Sequence, residues 1–164
     1  MGVGKSTIGR KLAQALELPF QDADQEIEKA AGRSISEIFA ERGEAEFRAG
    51  ERRVIARLLE SGPHVLATGG GAFMNAQTRA LIKQKAVSVW LKADLEVMVR
   101  RVSRKENRPL LVGRDAREVL GKLMEERYPF YGEADLMVET DERPANAAVA
   151  TIMEGLERLP QAAP

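Results

Sequence analysis

The stretch Met1-Gly2-Val3-Gly4-Lys5-Ser6-Thr7 opens the chain and decides its fold. It matches the end of the phosphate-binding pattern GxxxxGK[ST], in which glycines allow backbone N–H groups to approach phosphate oxygens closely. Four apolar residues then recur at the spacing of one helical face: Ile8, Leu12, Ala15 and Leu16. A glycine loop that runs into a helix is the context this pattern requires, because the positive end of the helix also attracts anions. We therefore expect a nucleoside triphosphate to bind here.

Each residue type of this loop suits one part of a triphosphate. Lys5 is expected to contact the β- and γ-phosphates, and the Ser6 hydroxyl to bind Mg²⁺. The residues expected around the phosphates are Gly2, Gly4, Lys5, Ser6 and Thr7. The first glycine of the pattern would stand five positions before Gly4, ahead of Met1. The alternative is an N-terminal tail that contains a glycine pair by chance.

The composition shows no strong charge bias. Of the 164 residues, 44% are hydrophobic and 30% are charged, and 25 basic side chains balance 25 acidic ones. This balance disfavours recruitment to nucleic acid or to an anionic membrane. The absence of cysteine excludes disulfides and thiolate metal sites, and it fits a reducing cytoplasm. No apolar run reaches membrane-spanning length. From the chain length we expect one domain spanning residues 1–164, and we expect a cytoplasmic monomer.

Four short apolar segments are predicted to be strands, and helices are predicted around them. The strands are expected at residues 18–24, 64–68, 87–91 and 136–138. The helices after the first are expected at residues 25–31, 34–42, 44–61, 75–84, 94–103, 115–131 and 145–159. Strands that alternate with helices predict an α/β fold with a parallel sheet covered on both faces.

Ligands of such sheets bind beyond the carboxyl ends of the strands. Two aspartates, a glycine run and an arginine-rich link lie at or beyond the carboxyl ends of the predicted strands: Asp22 and Asp24, Gly69–Gly71, and residues 103–114. We therefore expect them to converge on the phosphate loop. Asp22 and Asp24 alternate along a predicted strand, so their side chains should point to opposite sides. We assign Asp22 to Mg²⁺, through water, and Asp24 to the acceptor hydroxyl as general base. The alternative is an acidic turn that caps the helix from Gln25.

Three further features each have two interpretations. Gly69–Gly71 either offer bare N–H groups to a substrate or form a sharp turn. Arg48 and Arg127 are either surface ion pairs or a clamp for a substrate carboxylate. Arg108 lies in a link whose composition fits a lid, from which an arginine could close over the γ-phosphate. The residues alone therefore predict a phosphate-loop kinase for a small molecule, and they favour an anionic acceptor only under the clamp interpretation of Arg48 and Arg127.

In combination these motifs resemble those of the shikimate kinase family along essentially the whole chain. The phosphate loop is followed, in the family's order, by Asp22-x-Asp24, Phe47-Arg48, Gly69-Gly70-Gly71, Arg108-Pro109-Leu110 and Arg127-x-x-x-Tyr131. The resemblance implies transfer of the ATP γ-phosphate to the 3-hydroxyl of shikimate, with Mg²⁺, in the biosynthesis of chorismate and aromatic amino acids. It also implies a three-layer P-loop kinase fold with strand order 2-3-1-4-5.

The resemblance extends these assignments to individual positions. It implies a substrate-binding subdomain around residues 25–53 and a lid around residues 103–114. The implied shikimate contacts are Asp24, Arg48, Gly69, Gly70, Gly71 and Arg127. The implied nucleotide contacts beyond the loop are Arg101, Arg108, Arg143 and Pro144. With the residue chemistry above, the catalytic set becomes Lys5, Asp24 and Arg108.

This sequence differs from the family pattern at its N-terminus, because the family has a strand before the phosphate loop. We therefore expect the first, central strand of the sheet to be missing. Five buried apolar residues are worth on the order of 8–15 kcal/mol, similar to the whole net stability of a domain. The chain by itself is thus expected to be poorly stable and weakly active. Two alternatives stay open: a related kinase for gluconate or a nucleotide, and a non-catalytic nucleotide-binding module.

Overall fold

The computed structural model describes residues 3–104, 113 and 115–160. Short strands alternate with helices along these residues, which confirms the predicted α/β class. The helices are α1 (Lys5–Leu16), α2 (Ala23–Ala31), α3 (Ile35–Leu59), α4 (Ala76–Lys85), α5 (Leu95–Ser103), α6 (Ala116–Tyr131) and α7 (Ala145–Arg158). The strands are β1 (Phe20–Asp22), β2 (Val65–Ala67), β3 (Val89–Lys92) and β4 (Leu136–Glu139), and Ala72–Met74 forms a 3₁₀ turn.

The chain divides into two compact units. The first unit contains Met1–Leu12 and Ser88–Pro164, and the second contains Ala13–Val87. The predicted single domain, the subdomain at residues 25–53 and the strand order 2-3-1-4-5 stay predictions. Within the described ranges, neither unit has a helix that is long and apolar enough to cross a membrane.

In the second unit, β1 and β2 form a parallel pair. Phe20 lies opposite Val65, and Asp22 lies opposite Ala67. This register brings the carboxyl ends of both strands to the same edge, so the residues that follow Asp22 and Ala67 can act together. Helices α2 and α3 pack on each other through a buried cluster: Ile27, Ile38, Phe47, Val54 and Leu58.

Three of the capping or breaking features that the sequence predicts are present in α2 and α3. Gly32 follows α2 with a φ of 64°, a left-handed conformation that glycine adopts easily. Ser34 and Glu37 form a capping box, in which the Ser34 N–H donates to Glu37 Oε2 over 2.7 Å and lowers the pKa of Glu37. Gly43 kinks α3 (φ 79°, ψ 174°) at the predicted boundary between two helices, in a region that only glycine adopts readily.

In the first unit, β3 and β4 form a second parallel pair, in which Trp90 lies opposite Met137. Helices α5 and α6 pack through a buried cluster: Ala93, Val97, Met98, Val102 and Leu120. The Tyr128 hydroxyl donates to the Ala93 carbonyl over 3.1 Å, and its ring centroid lies 4.8 Å from that of Trp90. Burial raises the pKa of Tyr128. These contacts fix the end of α6, which carries Arg127.

Candidate active site

The described part of the phosphate loop runs into the first turn of α1. Gly4 has a φ of 82°, and its carbonyl accepts a helical hydrogen bond from the Ile8 N–H over 2.9 Å. Ser6 and Thr7 are exposed, and Lys5 is half-buried. An exposed helix N-terminus with hydroxyl groups in its first turn suits an anion, because the first N–H groups of a helix have no partner within it. Gly2 lies outside the described residues.

A cavity of about 200 Å³, here called the loop cavity, lies beside this segment in the first unit. Gly4 and Thr7 of the loop segment line it. Arg101 of α5 and the residues that precede α7, Arg143 and Pro144, line it as well. The structure thus brings the phosphate loop and the three implied nucleotide contacts of the described chain to one cavity.

Asp141 organises the arginines of the loop cavity. Arg143 donates from Nε to Asp141 Oδ2 over 2.6 Å and from its backbone N–H to Asp141 Oδ1 over 2.8 Å. The backbone hydrogen bond is the largest of the effects that lower the pKa of Asp141. Arg101 donates to the Asp141 carbonyl and, over 3.4 Å, to the Thr140 hydroxyl. Sequence reasoning missed Asp141, although its place just beyond a predicted strand was a usable signal.

Asp22 caps α2, and this corrects one interpretation of the sequence. Its Oδ1 accepts hydrogen bonds from the Asp24 N–H over 2.9 Å and from the Gln25 N–H over 3.4 Å. Because β1 ends at Asp22, Asp24 lies in the first turn of α2, and the prediction that both side chains alternate along a strand is wrong. The aspartate side chain captures backbone N–H groups and so starts the helix earlier than predicted. The capping alternative is confirmed for Asp22.

Asp24 and Arg48 lie against the glycine turn that follows β2. A Cβ on Gly69 would stand 3.3 Å from Asp24 Oδ1. A Cβ on Gly71 would overlap the Arg48 guanidinium, although Gly71 has an ordinary φ of −80°. A side chain at position 71 would therefore force the Arg48 guanidinium to move, whereas the backbone conformation there suits any residue. The groups that approach this glycine run are the Asp24 and Arg48 side chains, and the binding of a substrate by its N–H groups stays a prediction.

A buried acid holds Arg48 in place. Arg48 Nη1 donates to Glu51 Oε1 over 2.8 Å, and the Glu51 side chain is only 4% exposed, against 29% for Arg48. Glu51 Oε2 would lie 3.7 Å from a Cβ on Gly69, so Glu51 lies beside both Arg48 and the glycine turn. We call Asp24, Arg48, Glu51, Gly69 and Gly71 the Arg48 cluster. Arg48 does form ion pairs, as one interpretation held: the shorter one is with buried Glu51, and Arg48 Nε also lies 3.6 Å from Oε1 of exposed Glu44.

Sequence reasoning missed Glu51. The signal was available, because this acid stands among the apolar residues of one face of α3: Phe47, Val54, Ile55 and Leu58. A charged residue on the apolar face of a helix is either paired or costly. Here it is paired with the arginine that the sequence had singled out.

Arg127 belongs to neither the Arg48 cluster nor the loop cavity. Arg127 is half-buried in α6 of the first unit. Arg108 lies outside the described residues, as does most of the predicted lid at residues 103–114. The functional roles of both arginines stay predictions.

Comparison with known proteins places the chain in a family. The family model for shikimate kinase matches residues 1–157. The chain belongs to the shikimate kinase family. A shikimate kinase of Caulobacter vibrioides (strain NA1000 / CB15N) is 66% identical over 158 residues, which cover 96% of this chain and 79% of that protein. A shikimate kinase of Paramagnetospirillum magneticum is 55% identical over 156 residues, which cover 95% of this chain and 80% of that protein.

Solved structures agree with the family assignment. The shikimate kinase of Acinetobacter baumannii in complex with shikimate matches with a TM-score of 0.90 and 38% identity, over 96% of this chain and 88% of that one. A gluconokinase of Sinorhizobium meliloti matches with a TM-score of 0.66 but only 19% identity, over 96% of this chain and 87% of that one. That second likeness shows the fold alone. The shikimate kinase resemblance and the P-loop kinase fold are thus confirmed.

Proposed function

We propose that this chain transfers the γ-phosphate of ATP to the 3-hydroxyl of shikimate. Membership of the shikimate kinase family supports the proposal, and the Arg48 cluster is the observation that carries it. That cluster combines a carboxylate, a guanidinium with a buried partner, and a glycine turn against which both side chains lie. An acceptor with both a hydroxyl and a carboxylate needs these three kinds of group.

At the acceptor, Asp24 takes the proton of the 3-hydroxyl while the hydroxyl oxygen forms a bond to the γ-phosphorus. The bond from that phosphorus to the β–γ bridging oxygen breaks, and ADP leaves with its electrons. Arg48 binds the shikimate carboxylate, and its ion pair with Glu51 orients the guanidinium before the substrate arrives. The N–H groups of Gly69, Gly70 and Gly71 donate to the acceptor. Arg127 is a further proposed contact of shikimate.

At the nucleotide, the first turn of α1 binds the phosphates. Lys5 neutralises the β- and γ-phosphates, and the N–H groups of Gly2, Gly4, Ser6 and Thr7 donate to their oxygens. The remaining proposed nucleotide contacts are Arg101, Arg143 and Pro144 in the loop cavity and Arg108 in the lid.

Ser6 and Asp22 would hold Mg²⁺. Both offer hard oxygen atoms, which Mg²⁺ prefers, and this metal typically takes only one or two protein carboxylates beside phosphate and water. Ser6 is exposed in the first turn of α1, which suits direct contact. Asp22 Oδ1 already accepts N–H groups of α2, so we assign Asp22 to contact through water. Bound Mg²⁺ would neutralise charge on the transferring phosphoryl group.

A coupled ADP-release assay of the full chain tests this function. With ATP and Mg²⁺, shikimate should support turnover, and gluconate or AMP should not. Phosphorus NMR of the product should show a phosphate monoester on the 3-oxygen. Equal turnover with gluconate or AMP would contradict the substrate assignment. Saturable ATP binding without turnover of any acceptor would favour the non-catalytic module instead.

A further inference from the structure

A second cavity lies between α2 and α3, and we call it the α2–α3 groove. Its volume is about 400 Å³, within the roughly 300–1,000 Å³ typical of small-molecule sites. Its apolar floor consists of buried side chains: Ile27, Ile38, Phe47 and Val54. Asp24, Arg48 and Glu51 do not line it. The groove is therefore a different site from the Arg48 cluster, although both lie in the second unit.

The rim of the α2–α3 groove carries an excess of positive charge. Glu46 is the one acid among the residues that line the groove. Four arginines line it as well: Arg33, Arg42, Arg53 and Arg57. Arg33 pairs with Glu41, Arg57 Nη2 lies 3.5 Å from Glu26 Oε2, and Arg53 Nη2 lies 3.9 Å from Glu46 Oε1. These three arginines are 44 to 70% exposed, so the pairs are weak and can exchange for a ligand.

Arg42 is the rim arginine that is most available to a ligand. Across the described residues, the Arg42 side chain makes no ion pair or hydrogen bond, and it is exposed beside the groove. Its five N–H donors are therefore available to an oxyanion. A guanidinium binds a carboxylate through two parallel hydrogen bonds, which adds geometric preference to the attraction between charges.

Gly50 keeps the α2–α3 groove open. It lies within α3 and lines the groove, where glycine is less favourable than alanine because it loses more backbone freedom on folding. A Cβ at this position would meet only Arg53 Nη2, at 3.9 Å, which is an ordinary contact. Neither packing nor an unusual backbone conformation requires glycine here. The space that Gly50 leaves is therefore the feature that needs an explanation.

We propose that the α2–α3 groove binds a small organic carboxylate that has an apolar body. The apolar body would lie on the floor formed by Ile27, Ile38, Phe47 and Val54. The carboxylate would lie at the rim, with Arg42 and Arg53 as its main partners. An inorganic anion would leave the apolar floor uncovered, and an uncharged hydrocarbon would leave the charge of Arg42 unpaired.

Calorimetric titration of the full chain with 4-phenylbutyrate tests this proposal. Saturable binding should weaken as the salt concentration rises, because the rim arginines are exposed and therefore screened. Neither acetate, which lacks the apolar body, nor 4-phenyl-1-butanol, which lacks the charge, should bind measurably at the same concentrations. No saturable binding of 4-phenylbutyrate, or equal binding of the alcohol, would overturn the proposal.

Matched variants locate the site. Gly50→Leu should abolish binding by filling the groove, and Arg42→Gln should weaken binding about threefold to tenfold, as expected for one exposed charged contact. Gly50→Ala should raise the melting temperature, which shows that the helix tolerates a side chain there. Arg48→Ala should leave binding unchanged, and it separates this groove from the Arg48 cluster. Binding that survives Gly50→Leu, or that is lost in Arg48→Ala while that variant stays folded, would contradict the groove as the site.

Discussion

The Arg48 cluster and the loop cavity hold their arginines in opposite ways. Arg48 bonds to Glu51, whose side chain is only 4% exposed, and Gly71 leaves the space that the guanidinium occupies. Arg143 bonds instead to Asp141, and the two side chains are 66% and 50% exposed. The first arrangement fixes a charge by burial and shape. The second relies on a local turn in contact with water.

This difference indicates where selectivity resides. An interaction with a buried group is strong because water does not screen it, whereas an exposed pair typically contributes about 0.2–1 kcal/mol. A mutation in the Arg48 cluster should therefore change catalysis or acceptor binding strongly. A mutation among the arginines of the loop cavity should change nucleotide binding weakly, because backbone N–H groups of the phosphate loop provide most of the contacts with phosphate.

The largest effect is expected for Asp24→Asn. Loss of a general base typically costs at least about 100-fold in kcat, while the amide can still hydrogen-bond shikimate, so KM should change little. Steady-state kinetics with varied shikimate measures both constants. Asp22→Asn is the matched control: asparagine is an equally good helix cap, so this variant should stay folded and instead need more Mg²⁺. Unchanged turnover in Asp24→Asn would mean that Asp24 is structural.

A smaller effect is expected for Gly71→Ala. The added Cβ would displace the Arg48 guanidinium. Because one charged hydrogen bond is worth about 1.5–3 kcal/mol, KM for shikimate should rise about tenfold or more while KM for ATP stays the same. Gly132→Ala is the matched control, since its φ is −60° and the nearest atoms to an added Cβ lie 3.6 Å away. Equal shikimate KM values in both variants would contradict the required close approach.

The smallest effect is expected for Arg143→Ala. Its guanidinium is exposed and pairs with exposed Asp141, so KM for ATP should rise by no more than about fivefold. The pKa of Asp141 is lowered, so its carboxylate is charged and paired with Arg143 at every pH above the ordinary pKa of an aspartate. The interaction is lost only as the pH falls through the lowered pKa. KM for ATP should therefore not titrate through Asp141 between about pH 5 and 8. A hundredfold rise in KM would place Arg143 among the principal contacts.

The sequence predicted local features well. The capping box at Ser34 and Glu37, the glycine end of α2 at Gly32 and the break at Gly43 depend on neighbouring residues, and the structure has all three. The position of Asp24 was predicted wrongly because two local rules competed. Alternation along a strand and capping by Asp22 both fit the same residues, and the hydrogen bonds of the cap prevailed.

The contacts within the Arg48 cluster could not be predicted in the same way. Gly71 and Arg48 are far apart along the chain, and their contact depends on the register of β1 with β2 and on how α3 packs. The family resemblance implied roles for both residues but not that a Cβ at position 71 would overlap the Arg48 guanidinium. Glu51 was visible only as one acid on an apolar helix face, and its partner became known from the structure.

A double-mutant cycle on Arg48 and Glu51 tests the central claim most directly. The measured quantity is kcat/KM for shikimate in the parent, Arg48→Ala, Glu51→Gln and the double variant, with thermal unfolding to show that all four fold. If Glu51 acts by orienting Arg48, Glu51→Gln should cost about tenfold in the parent and almost nothing once Arg48 is absent, a coupling of about 1.4 kcal/mol. If Glu51→Gln lowers kcat/KM by the same factor in both backgrounds, the buried pair does not position Arg48, and the contrast between the Arg48 cluster and the loop cavity is contradicted.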